Sequence, residues 1–358
     1  MRVSTSQLQT GCILTKDILS LTNKPILPKK TVITDDHIDV IKAFLVKDIY
    51  VDSMLVNGEP FRPTEVLDEE ETIEVVEVES TTGQYLKTVK EYKKLFSNWQ
   101  AGAQIDIAKV RNIIIPLFER MIDYPSDILQ LHHYATKDDY LSHHSVVVGL
   151  LSGLIGKKLN YDKGECIQLT LAGLLSDCGM SKIDPRILSK KSSLTSSEYS
   201  EVKNHPLHSY RMLEKIPVLK ESVKLAVFQH HERVDGSGYM LGVTGEKLHP
   251  FGKIVAVADI FNAMTSERPY SGKQAPFKVL EQIIQDSFGK FDLKTVQALT
   301  SIVANLTIGT NVRLSSGQIG EVVFVETKSP TRPMVKLTQT SEFIQLDKNR
   351  EIFIEEVL

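Results

Sequence analysis

Between Gln229 and Tyr239 the chain reads Gln-His-His-Glu-Arg-Val-Asp-Gly-Ser-Gly-Tyr. Neighbours on a helix point about 100° apart, so His230 and His231 cannot share one helix face, although each could serve its own ion in a cluster of two or three metals. Imidazole is the commonest side-chain metal ligand, which makes the pair a reason to look for partners. The competing reading is two surface histidines ahead of an Asp-Gly turn. Partners do recur in marked settings. His144 lies in Asp-Asp-Tyr-Leu-Ser-His-His-Ser, Asp177 follows the apolar stretch Leu169 to Leu175, His205 precedes a proline, and Asp259 ends the run Ile254-Val-Ala-Val-Ala. A carboxylate at the end of such a run is costly to bury unless it is paired or bound to metal. His132, His133, His143, His208 and His249 stand in no comparable setting and are expected at the surface.

The elements that must carry these residues are mainly helical. Ile113, Leu117, Met121 and Ile122 fall at helical spacing, as do Val146, Leu150, Ile155 and Leu159. The expected architecture is a mainly α, all-helical domain over 85–306, preceded by a small α/β unit over 1–62 and an acidic linker over 63–84. A small antiparallel β unit, read as a barrel, follows over 307–358. In the first unit, Cys12-Ile-Leu, Thr31-Val-Ile and Ile49-Tyr-Val are read as strands. Thr34-Asp35-Asp36 is read as the cap and first turn of a helix with Ile38, Ile41 and Leu45 on one face.

Composition narrows the functional classes. The chain has 358 residues and a net charge of −3, which argues against a broad basic footprint for duplex nucleic acid but leaves room for a small anionic ligand. Three cysteines without C-x-x-C spacing give no disulfide framework and fit a reducing compartment. The longest apolar run, Ser145 to Gly156, is too short for a membrane span, and no apolar segment follows Met1, so the expected location is the cytoplasm.

Five stretches together resemble the HD-GYP family of cyclic di-GMP phosphodiesterases. They are Asp138-x-Tyr140-x-x-x-His144-Ser145, Ser176-Asp177-x-Gly179, Lys203-Asn-His205-Pro206, His230 to Tyr239, and Val257-Ala-Asp259-Ile-Phe-Asn-Ala-Met-Thr-Ser-Glu-Arg-Pro-Tyr270. The resemblance implies a helical HD-type domain with two or three divalent ions, iron or manganese. His144, Asp177, His205, His230, His231 and Asp259 stand at its ligand positions, and Asp177 stands where an aspartate bridges two metals. It further implies hydrolysis of cyclic di-GMP to linear pGpG or GMP, with Asp177 as the central catalytic residue. Asp235, Gly236, Gly238 and Tyr239 would border the substrate pocket, and Arg268 would hold phosphate or organise the loop, with an internal salt bridge as the alternative role. A signalling protein partner through the Gly-Ser-Gly-Tyr-Met loop and a homodimer are compatible with the resemblance.

The departures from the family pattern are specific. Ser176 replaces the histidine of the His-Asp pair, Met180 replaces a lysine, and Met240 replaces the proline of Gly-Tyr-Pro. Ser209 and Asn262 stand for a glycine and an aspartate. The loss of one imidazole and one ammonium leads to an expectation of reduced turnover, with Lys182 as a partial substitute for the missing cation. The alternative is a member that binds cyclic di-GMP, or a protein, without hydrolysing it.

Overall fold

The structure, a computed structural model, describes residues 1–19, 25–44, 46–64, 80–137, 139–190, 192–267 and 272–358. Leu45, Asp138, Arg268, Tyr270 and most of the acidic stretch, 65–79, lie outside the described residues.

The N-terminal unit pairs β1 (Arg2–Ser4) with β4 (Asp48–Tyr50) and β2 (Ile18–Leu19) with β3 (Pro25–Leu27), both antiparallel. Helix α1 (Asp35–Ala43) starts where Thr34 and His37 form a capping box, and its Ile41 is fully buried with Val3, Ile33 and Val51 in a core of the unit's own. The segments Cys12-Ile-Leu and Thr31-Val-Ile do not extend into strands. They meet in a single bridge, Ile13 to Val32, because the chain turns at Gly11 and at Lys30, both at positive φ.

The helical part comprises α2 (Thr81–Gln100), α3 (Ile107–Asp123), α4 (Tyr140–Lys158), α5 (Lys163–Leu175), α6 (Pro185–Leu188), α7 (Ser196–Val202), α8 (His205–Leu213), α9 (Glu221–Gln229), α10 (Pro250–Thr265), α11 (Pro276–Lys290) and α12 (Leu293–Val303). Capped by Ser80, α2 begins inside the stretch expected as linker. Helix α4 is buried from Ser142 to Gly156, as befits a helix apolar on every side. It lies directly against α5 because there is no room for side chains between them. A Cβ on Gly153 would fall 2.1 Å from Thr170 Oγ1, and one on Gly173 would fall 2.5 Å from the Val148 carbonyl. This close pairing sets His144, near the start of α4, opposite the residues that follow α5. None of the described helices is long and apolar enough to cross a membrane.

The C-terminal strands β5 (Asn311–Leu314), β6 (Ile319–Phe324), β7 (Met334–Leu337), β8 (Phe343–Gln345) and β9 (Ile354–Val357) form one antiparallel sheet in the order β8-β7-β6-β5-β9. Strands β8 and β9 are its two edges, so the sheet is open and the barrel reading is corrected. Its buried Val312, Leu314, Val322 and Val335 belong to the same apolar cluster as the helices. A two-bond fork from Arg332 to Glu281, 2.6 Å for each bond, ties it to α11.

Candidate metal centre

The six ligand-type residues come from five helices, five of these residues from at or near a helix end and Asp259 from the middle of α10. His144 lies one turn into α4, Asp177 follows the end of α5, His205 opens α8 ahead of Pro206, His230 and His231 follow α9, and Asp259 lies on α10. The helices converge so that these polar groups share one interior, and all but His231 are at least nine-tenths buried.

The turn carrying Asp177 is fixed from three directions. Ser176 Oγ donates to the Gly173 carbonyl at 2.9 Å, so this hydroxyl is spent on the end of α5. Ser209 Oγ donates to the Ser176 carbonyl and accepts from the Gly179 amide, each at 2.7 Å. Gly179 is there because a Cβ would lie 2.2 Å from the His205 carbonyl oxygen.

At the centre, the Nδ1 groups of His205 and His230 donate to the carbonyls of Val202 and Val227, both at 2.7 Å. That leaves each Nε2 as a lone pair facing inward. His205 Nε2 lies 3.2 Å from His230 Nε2, 3.2 Å from His231 Nε2 and 3.1 Å from Asp177 Oδ1. Lone pairs and a carboxylate at these distances repel unless a metal ion or a proton lies among them. Asp177 Oδ1 is buried without a hydrogen-bond partner, and the donor atoms of Asp177, His205, His230 and His231 all lie within 4.8 Å of one another. The donor set therefore fits a divalent ion.

A second face adjoins the first. His144 Nε2 is 3.0 Å from Asp259 Oδ1 and 3.6 Å from Asp177 Oδ2, and His231 Nδ1 is 3.7 Å from Asp259 Oδ2. Asp177 thus turns one oxygen to each face. Burial works to raise its pKa, but His205, His230 and His144 hold it well below the usual carboxylate range. His231 is pushed the other way, well below an ordinary imidazole, by burial and by His230.

Several side chains position the centre in ways that the sequence did not assign to them. Asn262 Oδ1 accepts from His144 Nδ1 at 2.8 Å, and its place three residues after Asp259, on the same helix face, was the available signal. Tyr140 stacks on His144 with ring centroids 5.1 Å apart. The buried Glu232 accepts from the amides of Leu241 and Gly242 at 2.6 and 3.2 Å, closing the glycine loop. Of that loop, Tyr239 stacks on His231 with centroids 4.6 Å apart, and Lys203 Nζ lies 5.0 Å from the centroid of the Tyr239 ring. Asp235 instead accepts from the Ser237 amide and hydroxyl, at 2.9 and 2.6 Å. Gly236 turns at φ +79°, and Gly238 lets the loop lie against Glu232, whose Cα is 2.4 Å from where a Cβ would stand.

Three expectations need correction. Lys182 does not replace the missing cation, because its ammonium donates to the Trp99 carbonyl at 2.8 Å. His143 is a core residue, 2% exposed, with its Nδ1 2.7 Å from the Tyr85 hydroxyl. His132, His133, His208 and His249 are half-buried. Surface placement failed for them because a histidine at a helix end can satisfy its ring locally, as His132 does with the Leu129 carbonyl at 2.6 Å.

The family model for the HD domain matches residues 124–294, the segment holding all six ligand-type residues. The chain is 30% identical over 243 residues to "Cyclic di-GMP phosphodiesterase PA4108" of Pseudomonas aeruginosa, covering 68% of this chain and 58% of that protein. It is 30% identical over 227 residues to a "Cyclic di-GMP phosphodiesterase" of Thermotoga maritima, covering 62% and 58%. To the "3'3'-cGAMP-specific phosphodiesterase 3" of Vibrio cholerae it is 34% identical over 134 residues, covering 37% and 29%. The chain thus spans less than two thirds of the length of these relatives. The match runs through the interior where the histidines and aspartates converge, and on that ground the chain belongs to the HD-GYP family of HD-domain proteins.

Proposed function

We propose that this protein is a metal-dependent phosphodiesterase that opens a cyclic dinucleotide, cyclic di-GMP in the first instance, to a linear product. The observation that carries the reading is the convergence of three imidazole Nε2 atoms and one orphaned buried carboxylate oxygen on a single point. The relatives' names supply the substrate class, and cyclic GMP-AMP is the competing member of it.

In this reading Asp177, His205, His230 and His231 hold one ion, and His144, Asp259 and the second oxygen of Asp177 hold another. When bound, such ions would supply activation of water and charge neutralisation at phosphorus. The protein's part is positional. The Val202 and Val227 carbonyls keep two imidazoles aimed inward, Asn262 fixes the tautomer of His144, and Tyr239 holds the His231 ring flat against it. Asp177, shared by both faces, keeps them in register and is the residue on which turnover depends. Met240 adopts φ +94°, which a proline ring cannot, and Leu241 beside it is 60% exposed. These features support a loop tip that serves partner contact.

Turnover is reduced in this chain. The Ser176 hydroxyl is committed to Gly173, Met180 packs on the apolar core, and Lys182 is committed to Trp99. The same three observations favour a second reading, a cyclic dinucleotide receptor without hydrolysis. Metal content and cyclic di-GMP turnover on one anaerobically purified sample separate the two. Two or more iron or manganese ions per chain with linear product support the enzyme. Near-zero metal, or nucleotide bound and recovered intact, supports the receptor.

A further inference from the structure

Away from the metal centre, a cleft of about 780 Å³ opens where the three parts of the chain meet. Its walls come from the turn at Lys29 and Lys30 in the N-terminal unit, from His132 to Lys137 ahead of α4, from Lys273 to Ala275 ahead of α11, and from the sheet at Arg313 and Glu356. Lys30, His132, His133, Glu355 and Glu356 also border an adjoining chamber of about 370 Å³, whose other walls include Leu129, Phe277, Ile302 and Leu306.

The charges of the cleft are unevenly matched. Glu267 is taken by Lys137 at 3.4 Å. Glu356 lies 3.8 Å from both Arg313 and His133, and Arg313 is also 3.8 Å from Asp17. Asp36 and Glu355 complete the acids of the wall. Lys29, Lys30 and Lys273 make no ion pair with any described carboxylate, and the half-buried Lys30 feels burial and its neighbour Lys29 more strongly than Glu356 and Asp127, so its pKa is lowered. Two further groups lack hydrogen-bond partners although buried, the donor Arg313 Nε and the acceptor Glu356 Oε1. The rings of His132 and His133 lie together, centroids 4.0 Å apart, between the two chambers. Burial and the neighbouring lysines Lys273 and Lys30 push His132 down to about 4, so this imidazole is neutral and the local field is positive.

We propose that this cleft is a second ligand site, taking a small organic phosphate whose phosphate sits among Lys29, Lys30 and Lys273 and whose planar or apolar body enters the adjoining chamber. Combined, the two chambers exceed the usual volume for a nucleotide-sized ligand, roughly 300–1,000 Å³, only slightly. Three ammoniums outside any ion pair supply what a phosphate needs, and the orphaned donor and acceptor supply polar anchors for the rest. The site is built from all three parts of the chain. It touches the segment that leads into the helix of His144 and the segment that follows the helix of Asp259.

The test is isothermal titration of metal-stripped, dialysed full-length protein with inorganic pyrophosphate and with ADP. The result expected is saturable binding of both, tighter for ADP and weaker as salt rises, and retained in Asp177→Ala. Lys273→Gln, at an exposed position, and Lys30→Gln should each weaken it at least tenfold, with unchanged circular dichroism. The absence of saturable binding overturns the site. Binding that both lysine variants keep, or that Asp177→Ala removes, also overturns it.

Discussion

Ser209 grips the turn on both sides of Asp177, its hydroxyl donating to the carbonyl of Ser176 and accepting from the amide of Gly179 at 2.7 Å each. The family pattern has glycine at this position, so the chain carries its own device for holding the carboxylate that faces both halves of the centre. Ser209→Ala leaves a buried amide and carbonyl without partners, a cost of about 1–3 kcal/mol. Urea melts should show this loss, and metal titration should show weaker binding. An unchanged midpoint and unchanged affinity would mean that the clamp is dispensable.

Gly179→Ala should be more damaging than Ser209→Ala, because the new Cβ would lie 2.2 Å from the His205 backbone oxygen and push a ligand residue away. We expect roughly 3 kcal/mol or more of destabilisation, together with metal loss. A fully folded, metal-replete Gly179→Ala protein would contradict the close approach of α8 to this turn.

Asp177→Asn keeps the shape but removes the charge shared by both faces. Elemental analysis should find metal content reduced to one ion per chain or fewer, with turnover abolished. Parental metal content in this variant would argue against a bridging position for Asp177.

Ser176→His with Met180→Lys restores the two absent groups. One electrostatic donor is worth roughly 10²–10³ in rate, so cyclic di-GMP turnover at full metal occupancy should rise by about that factor. A double variant no faster than its parent, compared at equal metal content, would overturn the proposal that Ser176 and Met180 limit turnover.

His132 supplies a pH signature remote from the metal. Burial, with Lys273 and Lys30, lowers its pKa from the ordinary 6.5 to about 4 in the folded chain. Between those values the unfolded chain binds the extra proton. This residue's contribution is therefore fully present above about pH 6.5 and is lost as pH falls towards 4, by roughly 3 kcal/mol. His132→Asn should flatten the stability curve over that window in chemical melts. A variant with the parental slope would remove His132 as its source.

Sequence alone determined which residues can ligate and which segments are helical. Apolar runs ended by Asp177 and Asp259 are visible in one dimension because burial of a charged group at the end of such a run already requires a partner. The capped start of α1 was legible for the same reason, since a cap is a contact between residues three apart. Tertiary structure decided what depends on distant residues. It spends the Ser176 hydroxyl on its own helix, sends Lys182 to Trp99, and gives Asn262 to His144, 118 positions away. It also sets the N-terminal turn beside the C-terminal sheet around the lysine-lined cleft. No local pattern encodes these choices, because the direction of a side chain is fixed by whichever element packs across from it, and that is settled only when the whole core closes.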